Sequence, residues 1–169
     1  MDIKIRRAEH TDLPELLKIY NYEVENGIST LDLHPKTMEE WEKWFAAHNK
    51  DNHPLLTALA DGKIAGYASL SSYREKEAYR STVELSVYIS PDFRKMGIAS
   101  ALIEQLIEIA RSDGVTHSIV SVITAGNEPS ERLHQKFGFT FCGRIPEVGV
   151  KFGKYRDIDN YCLILHNNT

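Results

Sequence analysis

The run from Thr82 to Ser112, TVELSVYISPDFRKMGIASALIEQLIEIARS, constrains this chain more than any other stretch. Its first eight residues alternate. Val83, Leu85, Val87 and Ile89 fall on one face, and Thr82, Glu84, Ser86 and Tyr88 on the other, which is the period of a strand. Ser90-Pro91-Asp92 breaks that pattern. From Gly97 onward, Ile98, Leu102, Leu106 and Ile109 recur at helical spacing. A strand that hands its loop to a helix N-terminus leaves the first helical N–H groups without partners, at the positive end of the dipole. Such an end attracts phosphate, and a glycine there lets an anion approach the backbone. The spacing is neither GxGxxG nor a P-loop with its GK[ST]. It is Arg94-x-x-Gly97-x-Ala99. By itself that pattern fits an anion cradle or an ordinary strand–turn–helix with a capping glycine.

The rest of the chain supplies context. Ile3 to Arg7 alternates as a strand. Thr11-Asp12 caps a helix with Pro14 in its first turn and Leu13, Leu16, Leu17, Ile19 and Tyr20 as its apolar residues. Gly27-Ile28-Ser29-Thr30 ends that helix in a loop. Thr37-Met38-Glu39-Glu40 is a capping box that starts a second helix, to about His48, with Trp41, Trp44 and Phe45 as a core face. Leu55 to Ala60 and Ile64 to Leu70 are strands joined by Asp61-Gly62, a hairpin signal. Ser72 to Arg80 is polar and irregular. After the central strand and helix come a buried strand (Ser118 to Ile123), a loop (Ala125 to Asn127), a helix from about Pro129 to Lys136, and closing strands Phe139 to Cys142 and Tyr155 to Leu165. The order βααβββαβαββ, with no repeat and no linker, predicts one α/β domain over residues 1–169, built on a mixed, twisted sheet of six to seven strands flanked by helices.

Composition narrows the partners. The net charge of -4, with no basic cluster, argues against nucleic acid. No apolar run approaches the ~20 residues that span a bilayer, and Met1-Asp2-Ile3-Lys4 does not open a signal peptide. Cys142 and Cys162 lie far apart in apolar runs and read as reduced core thiols of a cytoplasmic protein. His48, His53 and His117 lie in separate segments without ligand spacing, so no metal site is expected.

Two motifs in this order carry a resemblance. Arg94-x-x-Gly97-x-Ala99 after Tyr88-Ile89-Ser90-Pro91 resembles the pyrophosphate-binding motif of the GCN5-related N-acetyltransferases (GNAT). Asn127-Glu128-Pro129-Ser130 through Phe137-Gly138-Phe139 resembles that superfamily's second conserved segment. Tyr79-x-x-Thr82-Val83-Glu84, Asn127-x-Pro129-Ser130-x-Arg132-x-His134 and Gly149-x-Lys151-x-Gly153-x-Tyr155-x-Asp157 narrow the likeness to the phosphinothricin and methionine sulfone (sulfoximine) acetyltransferases, over nearly the whole chain. The resemblance implies the GNAT fold, acetyl-CoA as donor, the α-amino group of a small amino-acid analogue as acceptor, and a homodimer.

Acetyl transfer to an amine needs a held thioester, a neutral amine, and stabilisation of the charge that develops on the carbonyl oxygen and the thiolate. The amides of Arg94, Lys95, Met96, Gly97, Ile98 and Ala99 are the expected phosphate cradle. The Arg94 and Lys95 side chains either add charge or stay solvated. The resemblance implies that the backbone of Val87, Tyr88 and Ile89 pairs with the pantetheine arm, with an oxyanion donor near Val87, and that Asn127 hydrogen-bonds the coenzyme; read from its residues alone, Asn127 equally suits a helix cap. Glu84, a mid-strand carboxylate between β-branched neighbours, is either part of a half-exposed strand face or a base. The resemblance places the catalytic base there. It places His134 where the wider superfamily has a tyrosine, as proton donor or relay; the alternative is a surface histidine. Arg74, Lys76 and Tyr79 are expected to hold the substrate carboxylate or to form a solvated loop, and Ser29-Thr30-Leu31 to line the pocket. Two rivals remain: the same chemistry on another amine (a protein N-terminus, a polyamine or an aminoglycoside), and a non-catalytic acetyl-CoA-binding module. Gly97→Glu is expected to abolish acetyl-CoA binding. Calorimetric titration checks this, and unchanged affinity would remove the cradle.

Overall fold

The computed structural model describes residues 1–165, so the last four residues of the expected 1–169 domain lie outside the described residues. The strands are β1 (Ile3–Arg7), β2 (Leu55–Ala60), β3 (Lys63–Ser72), β4 (Thr82–Ile89), β5 (Ser118–Thr124), β6 (Thr140–Lys151) and β7 (Lys154–Ile164). The α-helices are α1 (Leu13–Asn26), α2 (Met38–Ala46), α3 (Ile98–Ser112) and α4 (Glu128–Lys136). All seven strands form one mixed sheet, in the order β1-β2-β3-β4-β5-β7-β6.

Alternation along β4 sorts the two faces. Val83 and Leu85, with Val87 and Ile89 packed against them, join the core formed with α3 through Ile98, Leu102, Ile103 and Leu106. The helix turns its face slightly from the predicted one: Ile107 and Ala110 are buried, and Ile109 is half-buried. On the other face Tyr88 packs on the aromatic core of α1 and α2, built from Leu16, Ile19, Trp41, Leu55 and Tyr67. Thr37 caps α2 as its sequence predicts, accepting from the Glu40 N–H while Glu40 reaches back to the Thr37 N–H.

β4 is antiparallel to β3 from Val83 to Ile89, but it is parallel to β5 only at Thr82↔Ser118, Val83↔Ile119 and Glu84↔Val120. Beyond Glu84 the two strands part. β5 stays paired with β7 as far as Thr124, so the divergence opens the interior of the sheet rather than its edge.

Three local expectations change. Helix α1 starts at Leu13 with Asp12 at its N-cap, as expected, but the Asp12 side chain does not cap it, because its carboxylate is engaged elsewhere: Arg6 donates to it at 2.7 and 2.9 Å and the Glu9 N–H at 2.8 Å. β6 runs twelve residues, through Pro146, where a short strand was expected; as the outer strand of the sheet it tolerates the proline and its two register shifts. The cysteines are not core thiols. Cys142 is exposed on that edge strand, and Cys162 is half-buried with its thiol 3.2 Å from the Ser118 hydroxyl.

Candidate active site

The parting of β4 from β5 creates a groove of about 980 Å³, walled by β4, β5, the first turn of α3, α4 and the loop after α1. Along its floor the inner-edge backbone of β4 after Glu84, and that of β5 after Val120, has no strand partner. Backbone N–H and C=O groups are obligatory hydrogen-bonding groups. The groove therefore offers a ready edge to an extended, amide-bearing ligand. Val87, Tyr88 and Ile89 line it.

At its far end lies the start of α3. Gly97 caps the helix at φ 80°, a left-handed conformation that side chains disfavour. The first turn of α3 carries no acidic residue, so no side-chain carboxylate of that turn competes for its free N–H groups at Ile98, Ala99 and Ser100. Arg94, Lys95, Gly97, Ile98 and Ala99 all line the groove, while Met96 is exposed and does not. Arg94 is not a free cation: its guanidinium donates to the buried Glu23 at 2.6 Å. Lys136, at the end of α4, reaches the first turn of α3, donating to the Ser100 hydroxyl at 2.8 Å.

Glu84 occupies the fork, at the last paired position of β4 and β5, and its side chain lines the groove. Burial raises its pKa above the ordinary carboxylate value. A carboxylate held this way is a better base than a solvated one.

His134 is nearly inaccessible, at 2% exposure. Its Nδ1 lies 2.7 Å from the Ser130 carbonyl, which only accepts, so Nδ1 carries the hydrogen. Nε2 then accepts from the Ser121 hydroxyl at 2.7 Å. Ser121 lines the groove as well. His134 lines the groove too, next to Ser121, a residue that sequence reasoning passed over; Ser121 lies among groove-lining neighbours on β5, and nothing in its spacing marks it. His48 repeats the arrangement elsewhere, with Nδ1 on the Trp44 carbonyl and Nε2 on Ser71, both at 2.7 Å. Burial lowers the pKa of both imidazoles.

Asn127 caps α4, its Oδ1 accepting from the Ser130 N–H at 3.4 Å, and it also lines the groove with its amide 3.4 Å from the Ser29 hydroxyl. Ser29, Thr30 and Leu31 form the opposite wall. That wall is tied down by Lys151, whose buried ammonium donates to the Thr30 carbonyl at 2.7 Å and the Glu23 carbonyl at 3.4 Å. Arg74, Lys76 and Tyr79 are not on the groove. They line a separate cleft of about 290 Å³, which reaches β4 at Thr82, two residues before Glu84. Among the described residues no group of three or more His, Cys, Asp or Glu gathers as a metal site would require.

Comparison with known proteins agrees with this architecture. The model of the acetyltransferase (GNAT) family matches residues 16–139. An L-methionine sulfoximine/L-methionine sulfone acetyltransferase of Pseudomonas paraeruginosa is 40% identical over 159 residues, 94% of this chain and 92% of its own. The crystal structure of a phosphinothricin acetyltransferase from Sinorhizobium meliloti in complex with acetyl-CoA superposes with a TM-score of 0.94 at 31% identity, covering 100% of this chain and 91% of the other. A structure named as a ribosomal-protein-alanine N-acetyltransferase, from Brucella melitensis, is 39% identical with a TM-score of 0.92, over 96% of this chain and 99% of the other.

The two buried imidazoles set a pH dependence. Each binds its proton more weakly folded than unfolded, where its value is about 6.5. Their contribution to stability is therefore complete above that value and drains away as the pH falls through the lowered folded value. The urea midpoint is expected to drop between pH 7 and pH 5, and to drop less in His134→Gln. Unfolding titrations at the two pH values check the sign.

Proposed function

We propose that this chain, which belongs to the acetyltransferase (GNAT) family and is an acetyl-CoA-dependent N-acetyltransferase, acts on the α-amino group of a small amino-acid analogue of the methionine sulfone, methionine sulfoximine or phosphinothricin type. The observation that carries the reading is the fork: a raised-pKa carboxylate at the point where a groove with a free strand edge and an anion-ready helix start converges. The relatives' names supply the substrate class.

In this reading the diphosphate of acetyl-CoA lies on the amides from Arg94 to Ala99, with Lys136 beside them, and the pantetheine arm pairs with β4 from Val87 to Ile89. Asn127 hydrogen-bonds the coenzyme. Glu84 takes a proton from the incoming ammonium, directly or through water. The freed lone pair attacks the thioester carbonyl, the N–C bond forms, and a backbone N–H near Val87 stabilises the oxyanion. The C–S bond then breaks, and the second proton leaving the nitrogen ends on the thiolate. The neutral His134, its Nδ1–H committed to a carbonyl, positions the Ser121 hydroxyl rather than supplying a proton itself. The substrate carboxylate goes to Arg74, Lys76 and Tyr79, in the cleft that meets β4 at Thr82.

The homodimer reading is supported by an apolar edge. Phe141, Ile145, Val148 and Val150 on β6, and Phe152 and Tyr155 at its turn into β7, are exposed, and Tyr155 reaches 69% exposure. Large apolar side chains gathered on one sheet edge mark a contact surface.

Three outcomes test these statements. Glu84→Gln is expected to keep acetyl-CoA binding and lose about 10²–10⁴ in kcat/KM. The rise of wild-type kcat/KM with pH, as the carboxyl loses its proton, is expected to vanish with it; wild-type turnover in the variant would remove Glu84 from the mechanism. A thiol-release panel of methionine sulfone, phosphinothricin, a polyamine and an alanine-initiated peptide decides the acceptor, and faster turnover of the peptide would favour a protein N-terminus. Sedimentation is expected to give twice the chain mass, and Phe141→Glu to give the monomer.

A further inference from the structure

His48 is linked to the strand position opposite the base. β3 and β4 are antiparallel, and their register sets Ser71 directly across from Glu84, Ser69 across from Ser86 and Tyr67 across from Tyr88. Side chains at directly opposed positions share one face of the sheet, with Cβ atoms about 5 Å apart. A serine hydroxyl beside a carboxylate in such a pair is a natural donor to it. Ser71 is half-buried, as Glu84 is, yet it does not donate there. Burial acts on the Glu84 carboxyl with no hydrogen bond opposing it among the described residues.

The imidazole accounts for this. The Trp44 carbonyl, 2.7 Å from Nδ1, only accepts, so Nδ1 carries the ring hydrogen and Nε2 is an acceptor. The partner of Nε2, at 2.7 Å, is the Ser71 hydroxyl, which therefore donates to it. A hydroxyl has one hydrogen to give, and this one is committed to the ring. The ring is itself fixed: it is 8% exposed and packs on the Trp44 indole with centroids 4.7 Å apart. Burial and His53, in the loop before β2, both disfavour a second proton on it, so Nε2 stays an acceptor at neutral pH. The remaining neighbours of the carboxylate do not replace Ser71. Its partner on β5 is the apolar Val120. Ser86 lies two residues along β4, about 7 Å away. Burial raises the pKa of Tyr67 and Tyr88, so both phenols stay neutral, and the charges of Glu23 and Asp32 act on Tyr88. From α4 the titratable group on the groove is His134, whose Nδ1 hydrogen goes to the Ser130 carbonyl.

Resting on the role of base proposed for Glu84, we propose that His48 is a positioning residue for the reaction: by taking the Ser71 hydroxyl hydrogen it denies the carboxylate opposite a competing donor and leaves it open to the substrate ammonium. A donor to a carboxylate favours its charged form. Ser71, once released from His48, would turn that hydrogen to Glu84 and make it a weaker base.

The test is the pH profile of kcat/KM at saturating acetyl-CoA, for the amine that turns over fastest in the thiol-release panel. The proteins are wild type, Glu84→Gln, His48→Asn, His48→Gln, Ser71→Ala and the double variant His48→Asn/Ser71→Ala. The amide nitrogen of Asn can stand where Nδ1 does and keep the Trp44 bond, but Asn is too short to hold Ser71. The amide oxygen of Gln can stand where Nε2 does and hold it. His48→Asn is expected to move the acid limb down by about one pH unit and to lower the plateau by about tenfold, with KM for acetyl-CoA unchanged. His48→Gln is expected to keep the wild-type limb. Ser71→Ala removes the hydroxyl, so the double variant is expected to return the limb to its wild-type position. A histidine with only a structural role would lower the plateau and leave the limb in place, and adding Ser71→Ala would restore nothing. Should His48→Asn not fold, His48→Leu, alone and with Ser71→Ala, gives the same comparison. If the limb stays in place in the His48 variants while Glu84→Gln abolishes turnover, the positioning role falls and the base stands. If Glu84→Gln keeps wild-type turnover and limb, the base falls and this role with it.

Discussion

Two parallel strands that pair for three residues and then part are the constraint on which this molecule depends. A continuous sheet would satisfy its own backbone and leave nothing to bind. Here β4 keeps β3 and β5 keeps β7, so each strand is anchored on its outer side while its inner side is free. The groove is the space between two anchored strand edges, walled by the loop after α1. It also decides where Glu84 stands, at the last paired position, half-buried and beside the opening.

The walls are held by charges drawn inward. Arg94 is bound to Glu23, and Lys151 holds the carbonyls of Thr30 and Glu23, so the loop after α1 is tied to the hairpin of β6 and β7 and to the approach to α3. Each cation is spent on the scaffold. What remains for an anion is the uncompensated start of α3, with Lys95 on the groove and Lys136 at its side. Partnered buried charges are costly to disturb, because removing one partner strands the other. These pairs therefore preserve the shape of the groove more than they set its charge.

Much of the fold was legible because its signals are local. The alternation of Thr82 to Ile89, the capping box at Thr37 and the Asp61-Gly62 hairpin each follow from residues a few positions apart. Gly97 was legible as a turn residue for the same reason: a left-handed residue before an apolar helix is a local demand for glycine. Ser121, Lys136 and Lys151 were not legible in the same way. Each acts through a partner 13, 36 or 121 residues away, and spacing carries no information about such contacts. The reading of Cys142 as a core thiol failed because an apolar run on the outer strand of a sheet looks like one in its interior.

The sequence by itself determined the strand, the glycine turn and the long helix, the carboxylate's place in the alternation, and the family that this order resembles. Those are matters of period, steric freedom and chain order, which neighbouring residues decide. Only the tertiary structure decided that β4 and β5 separate after Glu84, that His134 and Ser121 meet at the wall of the groove, and that a ring of aromatics buries the Trp41 and Tyr67 donors without a partner among the described residues. Those depend on which distant segments the sheet brings together, and hydrogen-bond satisfaction is settled only once they meet.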